Sequence, residues 1–416
     1  MIHPNGRFWT ASTISYPMHG DGEERCTVID TDRRREWYVL GPSKYLTDHE
    51  TDVMRTQAAI INNLDEVQPN TVTISVDEDG DVWGFSSRPP SPLTMAGLDK
   101  ASDIRMPLFS SAPTLAGQQT VGISALKEVD RLAPFFDLMQ WPAGDENPSN
   151  PQNCGNPGDD GSKNSAGGSK VIFKYALLNY RAEDLWNEMH FLQCLPPHEH
   201  IRKMDRLVLR NTSRILGFTA KYIQPKYIDG ADLAKGQKQS FKLKYLKQLT
   251  DTLDFLHFSA GVAHGNIRPS NILIDTTTDS IQLIDFGLAK VATEESIQED
   301  LDKVFWTAYE IVTHDYQRRF NEPNARPKKW IERRGMSCTP ASIQKHIEQW
   351  ITRRSHQQIP ERLVPEWPKF ENDYLEVEEE IFGDAEEYAE AKESNFADMP
   401  YYKESQDIFS WERPPY

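Results

Sequence analysis

The chain has 416 residues, in which 46 Lys and Arg stand against 63 Asp and Glu, a net charge of −17. That sign argues against a general binder of nucleic acid or anionic membrane, which needs net positive potential. Hydrophobic residues at 38% are too many for a wholly disordered chain, while 27 prolines and a mean hydropathy of −0.63 predict long polar connections around folded parts.

No run of about 18 or more apolar residues occurs, so no transmembrane helix is expected. The start, Met1 to Arg7, lacks a basic stretch followed by an apolar core, so no secretory signal is expected. Cys26, Cys154, Cys194 and Cys338 are far apart and form no CxxC pair. A disulfide framework and a cysteine zinc site are therefore not expected, and an intracellular location, cytoplasmic or nuclear, is.

Residues 1–95 read as a small α/β region with short strands and one helical segment. Thr71 to Val76 alternates apolar and polar residues, Glu78 to Asp81 supplies an Asp-Gly turn, and Val82 to Phe85 resumes, the pattern of a β-hairpin. Ser87 to Pro92 breaks that pattern, and residues 96–124 read as a linker. Strands are expected between Val129 and Trp141, before an insert at 143–170 rich in Gly, Asn, Ser, Pro and Asp. Such an insert buries too little apolar surface to offset its ordering entropy, and its glycines fit neither GxGxxG nor GxxxxGK[ST].

Val171 to Lys174 is a short apolar run ending in lysine, as in a buried strand. Leu185, Met189 and Leu192 then recur at helical spacing, with Glu188 on the same helix. Residues 238–258 predict a second helix with Leu246, Leu249, Leu253 and Leu256 on one face. A strand is expected at Ile281 to Ile284, and helices at Leu301 to Val312 and Ala341 to Arg354. The outline is α+β, with a β-rich part followed by a helical one.

Two stretches carry the chemistry: His264-Gly265-Asn266-Ile267-Arg268-Pro269-Ser270-Asn271 and Asp285-Phe286-Gly287. Together they resemble the protein-kinase family. The catalytic-loop pattern H-R-D-L-x-x-x-N is met at His264, Ile267 and Asn271, and D-F-G at Asp285 to Gly287. Val171 to Lys174 resembles V-A-I-K, and Glu188 stands where that lysine's helix partner belongs. The resemblance covers roughly 125–320. It implies a bilobal kinase-like fold, with a small lobe at 125–229 and a large lobe from 230 to 416.

It also implies roles for single residues. Lys174 would pair with the phosphates of ATP, held by Glu188, and Asn271 and Asp285 would offer oxygens to Mg²⁺. Asn266, Arg268 and Asn271 would form the catalytic set. Asp300, in Asp300-Leu301-Asp302-Lys303, resembles the aspartate that anchors this loop from a buried helix.

The departures are as informative. Asn266 stands where the family has the aspartate that accepts the substrate hydroxyl proton, and a neutral amide is no general base. No G-x-G-x-x-G precedes Lys174. Asp300 follows Asp285 by 15 positions with no A-P-E element between, so the peptide-docking segment is largely missing. Thr293 and Ser296 are candidate modification sites on what remains.

These features predict a pseudokinase regulator or scaffold that binds Mg·ATP, with weak or no phosphotransfer. Three alternatives stand beside it. One is an active atypical Ser/Thr kinase using Asp275 or water as base. Another is a small-molecule phosphotransferase, since His264-Gly265 and Asn271 also resemble the H-G-D-x-x-x-x-N loop of aminoglycoside and choline kinases. The last is an interaction protein without nucleotide. A protein partner is expected. Residues 371–398 hold 12 Asp and Glu against Lys392 alone, a net of 1 − 12 = −11, and 318–354 are strongly basic, so internal docking of one on the other is a further expectation.

Overall fold

A computed structural model describes residues 8–11, 23–30, 35–42, 63, 66–68, 71, 73–77, 81–87, 106–133, 135–141, 169–176, 182–210, 213–223, 225–227, 241–315, 318–319, 325–332, 336–354, 357–360 and 364–370. In chain order they form β1 (Phe8–Ala11), β2 (Glu23–Asp30), β3 (Arg35–Pro42), β4 (Thr73–Val76), β5 (Val82–Ser86) and β6 (Thr120–Gly122). Next come β7 (Lys127–Ala133), β8 (Phe136–Gln140), β9 (Lys170–Tyr175), α1 (Ala182–Cys194), β10 (Arg206–Arg210), β11 (Arg214–Lys221) and β12 (Pro225–Tyr227). The last are α2 (Leu243–Phe255), β13 (Val262–Ala263), β14 (Ile272–Asp275), β15 (Ser280–Leu283), β16 (Lys290–Val291), α3 (Glu294–Thr313) and α4 (Pro340–Arg354). The described residues fall into two compact units, one drawn from Met1–Pro107, Ser124–Ala182 and Lys369–Tyr416, the other from Leu108–Ile123 and Glu183–Pro368.

In the first unit β1 to β5 make one sheet in sequence order. Its pairs are antiparallel except β3 with β4. The expected hairpin is present: Ile74 faces Phe85, Asp77 N–H donates to the Asp81 carbonyl at 2.9 Å, and Asp81 N–H returns to the Asp77 carboxylate at 3.0 Å. Alternation places Ile74 and Val76 against Trp37, Val39 and Val28, all buried. Each such side chain contributes roughly 1.5–3 kcal/mol by leaving water. The helical segment expected in this region lies outside the described residues. A second group, β7 to β8 to β9, pairs antiparallel in the same unit.

In the second unit β10 pairs antiparallel with β11 and parallel with β6. Residues 108–123, read from sequence as part of a linker, instead carry short 3-10 turns and β6. Leu115 there is buried, which a free linker would not achieve. β12, β14 and β15 form a three-stranded sheet and β13 pairs with β16.

One apolar cluster unites α2, β14, β15, α3 and α4. The leucines expected on one face of α2, together with Ile343, Ile347 and Trp350 of α4, lie within it. Among the described residues no helix is long and apolar enough to cross a membrane. The insert at 143–168 and the acidic stretch 371–398 lie outside the described residues.

Candidate active site

The floor of the site is built from a helix end and a helix face. α2 widens into a π-helical turn at Leu256–Ala260, closed by Gly261 at φ +67°, a left-handed value that suits glycine. That turn carries His257 into the core. α3 begins with a capping box in which the Thr293 hydroxyl accepts from the Ser296 N–H. One buried face of α3 then presents Asp300, Lys303 and Thr307.

Asp300 accepts the His264 N–H at 2.7 Å, the Gly265 N–H at 2.9 Å and the His257 Nε2–H at 2.9 Å. Lys303 Nζ donates to the Gly265 carbonyl at 2.8 Å, and the Thr307 hydroxyl to the Ile267 carbonyl at 3.2 Å. Gly265 has φ +74°, and a Cβ there would lie 2.1 Å from the Leu288 carbonyl oxygen, so this position admits only glycine. The anchoring aspartate expected at 300 is where the resemblance placed it.

The hydrogen bonds settle two protonation states. His264 Nε2 faces the Ile284 carbonyl at 3.1 Å and so donates, while its Nδ1 accepts the Asn266 N–H at 3.1 Å. His257 donates from Nε2 to Asp300, and its Nδ1 receives the Arg354 guanidinium. A ring with one nitrogen accepting is neutral. Burial drives both imidazoles below their ordinary value, with Arg354 adding to the effect at His257. Burial alone would raise the Asp300 carboxyl, but His257, His264 and the Gly265 amide together hold it below the usual carboxylate range. Arg354 also binds Asp254, which accepts the Trp350 indole N–H at 2.9 Å.

On this floor stand three of the expected site residues. The Asn266 amide donates to Asp285 Oδ2 at 2.6 Å. The Asn271 amide donates to the same oxygen at 3.3 Å and to the Asn266 carbonyl at 2.8 Å. Asp285 itself sits at φ +69°, a strained value for a residue with a Cβ and one that collects at functional sites. Phe286 is fully buried and meets the His264 ring edge-on at 4.6 Å. A Cβ on Gly287 would lie 2.9 Å from the Asp184 Cβ and 3.1 Å from its carbonyl, so Gly287 lets the loop abut α1.

The remaining expected residues are Arg268, Lys174 and Glu188. Arg268 is exposed and acts on the buried Glu310 carboxyl, which burial raises and Arg319 at 3.6 Å and Arg268 lower. Lys174, on β9 of the first unit, has its ammonium 5.1 Å from the Phe136 ring centroid. Glu188, on α1 of the second unit, is buried.

Two expectations are corrected. Ser296 is buried in the cap of α3 and so is not an open modification site, while Thr293, its exposed partner in that cap, spends its hydroxyl on the Ser296 N–H. Asp275 caps the following turn by accepting the Thr277 N–H at 2.8 Å and pairs with Ser280 at the end of the β14–β15 ladder remote from Ile272. Three strand steps of about 3.3 Å separate it from Ile272, too far for it to replace the base. The shortened segment is confirmed: Asp285 leads through β16, paired with β13, directly into α3. His257, Lys303, Thr307 and Arg354 were not singled out in the sequence. Lys303 and Thr307 were within reach, standing three and seven positions after Asp300 on one helix face.

Sheet, helices, anchored loop and carboxylate–amide centre together define the phosphotransferase fold of protein kinases. Residues 162–321 match the model of the protein kinase domain. The chain is 37% identical over 87 residues to CBL-interacting serine/threonine-protein kinase 20 of Arabidopsis thaliana, covering 20% of this chain and 19% of that one. It is 31% identical over 119 residues to extracellular signal-regulated kinase 2 of Dictyostelium discoideum, 28% of this chain and 31% of that one. To mitogen-activated protein kinase kinase kinase 9 of Arabidopsis thaliana it is 34% identical over 79 residues, 19% of this chain and 10% of that one. It spans less than a third of the length of these relatives. Residues 162–321 are thus the protein-kinase-like part of the chain.

Proposed function

We propose that the chain is a pseudokinase: a kinase homologue that binds Mg·ATP, transfers phosphoryl groups weakly or not at all, and acts on a protein partner as regulator or scaffold. The carrying observation is the 2.6 Å bond from the Asn266 amide to Asp285 Oδ2. At the position of the family's general base stands a group that donates a proton in a hydrogen bond and takes none up. Loss of a general base costs about 10²–10⁴-fold in rate.

The donor set fits a hard cation, which prefers oxygen ligands. Asp285 and Asn271 would hold Mg²⁺, which supplies neutralisation of phosphate charge when bound. Asn266 and Asn271 both donate an N–H to an oxygen of the carboxylate that would ligate it. Lys174, with Glu188 as its partner, would pair with the phosphates.

Thermal unfolding with and without ATP and Mg²⁺ tests this reading. At 100 times Kd the ligand stabilises by about 2.7 kcal/mol. A shift in the wild type that disappears in Lys174→Ala, with no ATP turnover, is the expected result. No shift at any concentration would leave an interaction protein without nucleotide. The short link from Asp285 to α3 favours a second reading, a small-molecule phosphotransferase. Transfer from ATP to an aminoglycoside or choline by the wild type would establish it in place of the first.

A further inference from the structure

Helix α1 carries Glu188 and, through Asp184, abuts Gly287 of the Asp285-Phe286-Gly287 loop. Its partners at the other turns come from a distant part of the chain. Trp367 stacks on the His190 ring at 5.0 Å with 6° between planes, and meets Phe191 edge-on at 4.8 Å. The Trp367 indole N–H donates to Asn187 Oδ1 at 3.4 Å. In return the Trp186 indole N–H donates to the Pro368 carbonyl at 2.9 Å, and Trp186 packs edge-on against His190 at 4.3 Å. Val364, at the start of this segment, is buried in the same cluster that holds Phe286 and Phe191. Four residues of α1 beyond Leu185, namely Trp186, Asn187, His190 and Phe191 on two adjoining turns, are thus gripped by residues 364–368.

The grip is not that of an ordinary core. His190 is fully buried and hydrogen-bonds through Nδ1 to the Thr114 hydroxyl, but its Nε2 has no hydrogen-bond partner among the described residues. Whichever tautomer it takes, one buried ring nitrogen stays unpaired beneath Trp367, and such a group favours any rearrangement that lets water reach it. The segment holding the helix is also short, lacks regular secondary structure and leads directly to the stretch 371–398 with its net charge of −11. Short segments of this kind lie at the low-stability end of a structure and open locally.

We propose that residues 364–368 form a releasable strap that sets the position of helix α1, and through the Asp184–Gly287 contact the position of the Asp285 loop. The strap makes the segment C-terminal to Pro368 a handle on the candidate site. It does so with no phosphorylation loop, in a chain whose activation segment is too short to supply one. This holds whether or not the site binds nucleotide, since every contact it uses is within the protein.

Amide hydrogen exchange on the full chain tests it, comparing wild type with Trp367→Ala and Trp186→Phe. The second variant removes the bond to Pro368 and keeps an aromatic ring in place. The expected result is at least tenfold faster exchange in 183–195 and a smaller acceleration in 285–289, with α2 and α4 unchanged. Unchanged exchange in α1 would overturn the proposal, and so would equal acceleration in α1, α2 and α4, which reports loss of the whole core. If Trp367→Ala does not fold, Trp186→Phe decides alone by the same pattern.

Discussion

Beneath the centre, Asp300 binds two loop amides and His257, and Arg354 closes the chain of contacts from α4. At the face that would meet substrate, an amide stands for the base, no glycine-rich cover precedes Lys174, and Asp285 runs almost directly into α3. The first region keeps every group needed to hold a catalytic loop in shape. On the function proposed above, the second lacks the groups that move a proton and dock a peptide. The contrast teaches that loop geometry and loop chemistry are separable. The buried floor is maintained by its own energetics, because removing any member strands a buried charge or donor, whereas Asn266 changes the chemistry at the cost of one oxygen for one nitrogen.

The largest expected effect comes from breaking the floor. Asp300→Ala leaves the His264 and Gly265 amides and the His257 N–H buried and unpaired, and should cost on the order of 3–5 kcal/mol in denaturant unfolding. A loss under about 1 kcal/mol would show that the floor is not a structural keystone. Gly265→Ala should cost about 2 kcal/mol or more, since it combines a left-handed φ with a clash against the Leu288 carbonyl.

Acid should act on the floor and on α1 together. Burial lowers His257 and His264, and lowers His190 to about 4. Folding therefore keeps these rings neutral, and the stability this confers is present above their unfolded value of about 6.5 and is lost as pH falls below it. His190 alone should cost on the order of 1–2 kcal/mol between pH 7 and 5. Urea midpoints measured across that range, with His190→Gln as control, check the sign and size. A midpoint that rises on acidification would contradict it. The smallest effect belongs to the periphery: Thr293→Ala removes one capping bond and should cost about 1 kcal/mol by thermal unfolding, with the centre undisturbed.

Much of this was legible in the sequence where the signal was local. The hairpin at 73–86 followed from alternation around an Asp-Gly turn, and α2 from its leucine spacing. Asn266, Asn271 and Asp285 were visible as an ordered set, although their meeting at one carboxylate oxygen joins positions 14 and 19 apart through a β-hairpin. What escaped is long-range. Arg354 reaches His257 across 97 positions, and Trp367 reaches Asn187 across 180, with no local pattern announcing either pairing. Residues 108–123 looked like linker because 3-10 turns leave no period to detect. Ser296 looked like an open modification site because the cap uses Ser in place of the usual Glu or Gln at its third position.

The central claim is that the floor holds a loop whose chemistry has been removed at residue 266. Single-turnover release of phosphate from Mg·ATP, measured on the wild type, Lys174→Ala and Asn266→Asp, tests it most directly. The account predicts weak turnover or none in the wild type, none in Lys174→Ala, and a gain of about 10²-fold or more in Asn266→Asp. Wild-type turnover that is abolished by Lys174→Ala and not raised by Asn266→Asp would contradict it.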